Sequence, residues 1–359
     1  MTKKITFLGI ETSCDETAAA VIKENSRGTA DILSNIVSSQ ISEHKKFGGV
    51  VPELAARAHL ENIDYIVKKA LEKSKINLSQ IDGVAATAGP GLTVCLTIGL
   101  NIGKSIAAFS EKPFVGINHL EGHALSPGLE TTIDFPYLLL LISGGHTQYL
   151  IVKGVGKYEQ LGTTIDDALG EAFDKTSKML NLGYPGGPSV EKFSKLGNKN
   201  FFKLPEPIIN KAGCNLSFAG LKTAVLRETK NINGNDKLRY NLAASFQETI
   251  IKILEKKTLV AMDQFKKITN LEKGVKFVIA GGVAANQSIR KNLIEVSKKM
   301  NFTPVFPDQK FCGDNAAMIA WAGIQRLNKK PVNDLNVQAR SRWPLDETAP
   351  FMKGPGLKL

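Results

Sequence analysis

The chain has 359 residues, 43% of them hydrophobic, with 46 Lys and Arg against 34 Asp and Glu for a formal net charge of +12. That length and apolar content exclude a disordered chain and leave room for two cores, while the longest apolar run, Tyr137 to Ile142, is far too short to span a bilayer. The cationic balance favours polyanionic partners through counterion release, although runs such as Lys256-Lys257 and Lys266-Lys267 also read as solvated helix faces.

Near the N-terminus Glu11 follows only a few apolar residues, unlike a secretory signal or an arginine-rich presequence. Cys14, Cys95, Cys214 and Cys312 show no CxxC and no disulfide-like spacing, which predicts a reducing, cytoplasmic setting.

Ile5 to Ile10 reads as a strand, the polar run from Glu11 to Thr17 as a turn, and Ala18 to Ile22 as a second strand. Pro52 to Lys69 has helical periodicity, Ile81 to Ala88 is a strand ending in Gly89-Pro-Gly91, Thr93 to Phe109 is an apolar helix, and Phe114 to Ile117 is the next strand. Strand, glycine turn and helix together make half of a parallel α/β unit. Phe135 to Ile142 and Gln148 to Val152 then repeat the opening strand-turn-strand shape around Ser143-Gly-Gly-His-Thr147, which predicts two related lobes. Backbone N–H groups in such turns make anion-binding nests.

Thr164 to Leu180 reads as a helix with an acidic face of Asp166, Asp167, Glu171 and Asp174, ended by Gly183-Tyr-Pro-Gly-Gly-Pro188. Those acids suit a metal or nucleotide, and equally the helix dipole. Phe218 to Arg227 is a short basic helix, Asn231 to Asp236 a flexible link, and Leu238 to Phe265 a long amphipathic helix. Lys276 to Ala280 is a buried strand running into Gly281-Gly282 and the helix Gln287 to Lys299, and Asp314 sits at the start of the last strong helix, where an N-cap is its simplest reading. The basic tail with Arg340, Arg342, Lys353 and Lys358 is expected to be partly ordered.

Three of the five histidines lie between positions 119 and 146. His119 and His123, four apart, share one helix face and can offer two imidazoles to one ion; an isolated pair at this spacing also occurs as ordinary helix histidines. Glu121 stands two residues after the first histidine, whereas an H-E-x-x-H metalloprotease helix needs Glu directly after it.

The runs Gly9 to Thr17, His119-Leu-Glu-Gly-His123, Leu141 to Gln148, Asp166 to Lys175, Tyr184-Pro-Gly-Gly-Pro188, Ser217 to Thr223, Gly281 to Asn286 and Asp314 to Met318 together resemble the bacterial TsaD family of tRNA N6-adenosine threonylcarbamoyltransferases. The resemblance runs from about residue 5 to about residue 330 and leaves only the tail uncovered. It implies a two-lobed α/β fold of the actin, Hsp70 and sugar-kinase (ASKHA) type with a central nucleotide cleft. The expected lobes are residues 1–130 completed by a helix at about 314–330, and residues 131–313, followed by the tail 331–359.

The resemblance also implies transfer of threonylcarbamoyl from threonylcarbamoyl-AMP to N6 of adenosine 37 in tRNAs reading ANN codons. His119, His123 and Asp314 match the family's ligands for one metal ion, Fe(2+) with Zn(2+) also compatible. Leu141, Ile142, Ser143, Gly144, Gly145, Asp174, Gly187 and Asn286 match its nucleotide and substrate contacts, and Asp15 and Glu16 its catalytic acids. The implied partners are the tRNA anticodon loop, the paralogue TsaB and the ATPase TsaE, with no membrane. Family members commonly carry Ser or Thr where this chain has Gly313.

Overall fold

The computed structural model describes residues 4–232 and 234–350, so the tail end with Lys353 and Lys358 lies outside the described residues. The described chain divides into two compact units. The first comprises residues up to Asp134, Gly154–Lys157 and Pro307–Glu347; the second comprises Phe135–Lys153, Tyr158–Phe306 and the described residues from Thr348.

In the first unit Thr6–Glu11 (β1) pairs antiparallel with Glu16–Glu24 (β2), which pairs with Ala30–Ser39 (β3). Ile41–Lys45 (α1) and Pro52–Ser74 (α2) follow. Gly83–Gly89 (β4) and Phe114–Asn118 (β5) extend the sheet in parallel from β1, joined by Thr93–Phe109 (α3). His119–Leu125 (α4) begins directly after β5.

In the second unit Tyr137–Ile142 (β6), Thr147–Gly154 (β7) and Lys157–Thr163 (β8) lead into Leu169–Met179 (α5), Gly186–Ser194 (α6), Ala219–Thr229 (α7) and Asp236–Thr269 (α8). Lys276–Ala280 (β9), Gln287–Lys299 (α9) and Thr303–Val305 (β10) complete it. Ala316–Lys329 (α10) then belongs to the first unit. The two sheets run β3-β2-β1-β4-β5 and β8-β7-β6-β9-β10, and in both the hairpin strands β1–β2 and β6–β7 are antiparallel while the later strands join in parallel. This duplicated order is what the paired hairpins in the sequence predict.

The first sheet is covered on both faces. Because successive strand residues point to opposite sides, Phe7 packs with Ala85 and α10, whereas Leu8 and Ile10 pack with Ala86 and with Ile63 and Ile66 of α2. A strand buried on both faces needs the continuous apolar run that β1 has.

Several elements depart from the sequence reading. The helix expected from Thr164 begins at Leu169, because Thr164 bridges Leu216 and the Asp166 carboxylate turns aside to accept N–H groups of Phe218 (2.7 Å) and Ala219 (3.2 Å) at the start of α7. Asn315, not Asp314, caps α10, accepting the Met318 N–H at 3.1 Å. The glycine-proline run after α5 is not only loop: Gly186 opens α6. Of the polar link 231–236, Asn233 lies outside the described residues and Asn235 caps α8.

Lys257 is not on a solvated face. It is 1% exposed and its ammonium donates to the carbonyls of Lys211 (2.8 Å) and Gly213 (3.1 Å). The described part of the basic tail is tied down as well. The Asp334 N–H donates to Phe114 O at 2.8 Å, the Arg340 N–H to Ala88 O at 2.7 Å, and the Asn118 amide to Trp343 O at 2.9 Å. Among the described residues no helix is long and apolar enough to cross a membrane.

Candidate active site

His119 and His123 occupy one face of α4, whose start is set by Asn118 accepting the Leu120 N–H at 2.9 Å. Both rings are buried and meet edge to face with centroids 4.7 Å apart. Asp314 reaches them from the segment before α10, placing Oδ1 3.1 Å from His123 Nε2 and 3.4 Å from His119 Nε2. One donor atom from each of the three residues lies within 4.8 Å of the others.

Donors that each sit about 2.0–2.2 Å from a common ion are about 3.0–3.5 Å from one another; both Asp314 distances meet that spacing, and the set as a whole, within 4.8 Å, could hold one ion with a small inward shift of the rings. Two imidazoles and one carboxylate also leave coordination positions open for other ligands. Burial opposes ionisation of Asp314, but the facing histidines outweigh it and hold its carboxyl well below the usual carboxylate range. Burial likewise opposes charge on His119, and Asp314 and Glu11 outweigh it, raising its affinity for a proton.

Glu11, which the sequence reading did not single out, backs this group. It is fully buried at the end of β1, with Oε2 3.0 Å from His119 Nδ1. The Ser13 N–H donates to its Oε1, the Thr87 hydroxyl to its Oε2, and Ser13 Oγ is 3.2 Å from the same His119 nitrogen. A carboxylate closing an apolar strand was the available signal, since such a group is buried only when donors meet it.

Asp15 and Glu16 lie where the β1–β2 turn enters β2. Burial pushes the Glu16 carboxyl well above the ordinary range, and Asp314 and Asp15 add to the rise. The turn is held from behind by His59 of α2, whose Nε2 is 2.9 Å from Cys14 O and whose Nδ1 is 2.7 Å from Thr17 Oγ1. Glu121 takes no part. It is buried and pairs with Arg326 of α10 while accepting the Gly156 N–H at 2.9 Å.

The other predicted residues lie in the second unit. Leu141 and Ile142 are buried in β6. The Ser143 N–H is taken by His146 O at 2.8 Å, so it closes the turn and is not free for a phosphate. The carbonyls of Ser143 and Gly144 accept the Gly170 and Glu171 N–H groups, each at 3.2 Å, binding the turn to the first turn of α5. Gly170 has to be glycine for this approach: a Cβ there would lie 2.7 Å from Gly144 Cα and from Ser143 O. Gly281 has a positive φ of 96°, and a Cβ there would clash with Ile142 O.

Exposed Gly144 and Gly145 have nothing within 4 Å of a built Cβ, so the open side of the turn is theirs. Asp174 accepts the Gly186 N–H at 2.7 Å at the head of α6, next to Gly187. Asn286 is 7% exposed, caps α9 through the Ile289 N–H at 3.0 Å, and donates to Gln247 Oε1 at 2.9 Å. Asp167 of the acidic face is paired with Lys175 (3.1 Å) and Lys222 (2.6 Å). Gly313 has open space where a Cβ would stand.

The profile of the TsaD family, tRNA N6-adenosine threonylcarbamoyltransferase, matches residues 31–321. A protein of Pelagibacter ubique bearing the name tRNA N6-adenosine threonylcarbamoyltransferase is 56% identical over 359 residues, covering 100% of both chains. One from Bartonella bacilliformis with the same name is 50% identical, covering 98% of each. Among solved structures, HypF of T. kodakarensis superposes with a TM-score of 0.60 at 14% identity, over 92% of this chain and 49% of that one, a likeness of fold alone. The α/β class with two related sheets that the motifs implied therefore holds, in a fold shared with HypF, and the chain belongs to the TsaD family of tRNA N6-adenosine threonylcarbamoyltransferases.

Proposed function

We propose that this chain transfers the threonylcarbamoyl group of threonylcarbamoyl-AMP to N6 of adenosine 37 in tRNAs reading ANN codons, forming t6A and releasing AMP. The observation that carries the reading is the convergence of His119, His123 and Asp314 on one point in a chain of this family. In the reaction the N6–carbonyl bond forms, the carbonyl–oxygen bond to the phosphate breaks, and one N6 proton is lost. An exocyclic adenine amine is a weak nucleophile, so the mixed anhydride supplies the reactivity and the protein mainly positions and stabilises charge; proximity alone can contribute roughly 7–11 kcal/mol.

The chain's own residues divide the work. His119, His123 and Asp314 would hold one divalent ion, Fe(2+) with Zn(2+) also compatible, which when bound supplies Lewis acidity. Asp15 receives the N6 proton, beside Glu16, whose affinity for a proton is raised by burial and by the neighbouring Asp314 and Asp15. Gly144 and Gly145 offer backbone N–H groups to the phosphate, next to Leu141 and Ile142. Asp174 and Asn286 act by setting the starts of α6 and α9, with Gly187 at the surface of the first. The protein works in the cytoplasm with TsaB and TsaE and binds the tRNA anticodon loop with its adenine unstacked.

The test supplies purified protein, TsaB, TsaE, synthetic threonylcarbamoyl-AMP and tRNA bearing A37, and measures the modified nucleoside by mass spectrometry. Modified nucleoside with stoichiometric AMP is expected. Hydrolysis of the adenylate or of ATP with unmodified tRNA would move the reading to a nucleotide hydrolase of the same fold.

A further inference from the structure

Glu11 is buried, ionisable and outside the set of residues that meet at the candidate ion. An ionised carboxylate only accepts hydrogen bonds, and the groups around this one are donors: the Ser13 N–H on Oε1 and the Thr87 hydroxyl on Oε2. The remaining close neighbour of Oε2 is His119 Nδ1, at 3.0 Å. If Nδ1 carried only a lone pair, two acceptors would face each other at that distance in a buried site. A proton on Nδ1 removes the conflict, and the Ser13 hydroxyl, 3.2 Å away, can serve it as a second acceptor. With Nδ1 protonated, Nε2 is the nitrogen left to ligate an ion; it faces Asp314 at 3.4 Å, where in the ion's absence a second ring proton meets that carboxylate. The Nδ1 proton is common to the neutral ring and the imidazolium, so the argument does not depend on which is present before an ion arrives.

We infer that Glu11 is a positioning residue that locks His119 in its Nδ1-protonated form and so presents Nε2 to a divalent metal ion. This rests on the His119–His123–Asp314 reading of the metal centre. A carboxylate behind a ligating imidazole fixes the ring and raises its basicity, and loss of such a partner typically costs 10–100-fold in metal affinity. Glutamine in its place can turn its NH2 toward Nδ1, which moves the ring proton to Nε2 and blocks the ligating atom.

The experiment uses the full-length protein and two readouts. Long-range proton–nitrogen NMR of the metal-free wild type assigns the His119 tautomer, and anaerobic titration with Co(2+), followed by its visible spectrum, gives affinity. The expected result is an Nδ1-protonated His119 in wild type and a Co(2+) affinity about 10–100-fold weaker in Glu11→Gln, with Thr87→Val retaining the wild-type tautomer. A wild-type His119 protonated on Nε2 alone overturns the inference even if Glu11→Gln does not fold. So does a folded Glu11→Gln that binds Co(2+) like wild type. Failure of wild type to bind Co(2+) with the Nδ1 proton in place overturns the metal reading and removes the ligand half of this inference, while leaving the Glu11–His119 lock standing.

Discussion

Asp314 Oδ1 lies 3.1 Å from His123 Nε2, across 191 residues of chain. Local structure makes that approach: Asn315 takes over the capping of α10, which leaves the preceding carboxylate free to turn toward α4. Asp314→Ala keeps the cap and removes one of three converging donors. Its metal affinity, measured by equilibrium dialysis, is expected to fall by more than the roughly 100-fold that loss of an outer partner costs, while circular dichroism stays unchanged.

His59 is buried, and burial, its largest influence, pulls its proton affinity below the ordinary histidine value. A folded-state value below the unfolded one means that the unfolded chain binds the proton more readily. The contribution of His59 to stability is therefore complete above the unfolded pKa of about 6.5 and declines as pH falls from there toward the folded value. Urea midpoints between pH 7.5 and pH 5.5 should fall more steeply for wild type than for His59→Gln. Equal slopes would show that His59 is not buried as a neutral ring. At pH 7.5 His59→Ala, which strands the Thr17 hydroxyl and its neighbours, is expected to cost about 1–3 kcal/mol.

Gly170→Ala forces a methyl against the Ser143–Gly144 backbone. Overpacking of this kind costs about 1–3 kcal/mol, and the displaced turn should raise KM for the adenylate. Gly144→Ala has open space for its methyl and should leave the urea midpoint within about 0.5 kcal/mol of wild type. Similar losses in both would contradict the account of the turn.

Arg326→Ala leaves the Glu121 carboxylate buried without its cationic partner. Removing one side of a buried pair costs about 3–5 kcal/mol, and because the Arg326 side chain is 32% exposed, water access places the expected loss near the lower end. A change under about 0.5 kcal/mol in chemical denaturation would show that the pair contributes nothing to holding α10 on α4.

Much of this was legible in the sequence where one period dominated. The apolar helix Thr93–Phe109 and the strand Lys276–Ala280 carry continuous apolar patterns with clear stops, and the two hairpins disclosed the duplicated sheet. β3 and β8 were not read because their sequences, Ala-Asp-Ile-Leu-Ser-Asn and Lys-Tyr-Glu-Gln-Leu-Gly, are polar outer strands of mixed exposure. The α5 start and the Asp314 cap were misread because a nearby carboxylate looks like a local cap, whereas here Asp166 serves α7 and Asp314 faces α4. Glu11 escaped for the opposite reason: its partners, Thr87 and His119, lie 76 and 108 residues away, beyond any local pattern.

The most direct test of the central claim compares t6A formation by wild type, His119→Ala and Asp314→Ala in one reconstituted reaction, with folding of each verified by circular dichroism. The account predicts modified nucleoside from wild type and its collapse in both folded variants. Undiminished transfer by either variant would contradict the claim that these side chains hold the ion on which transfer depends.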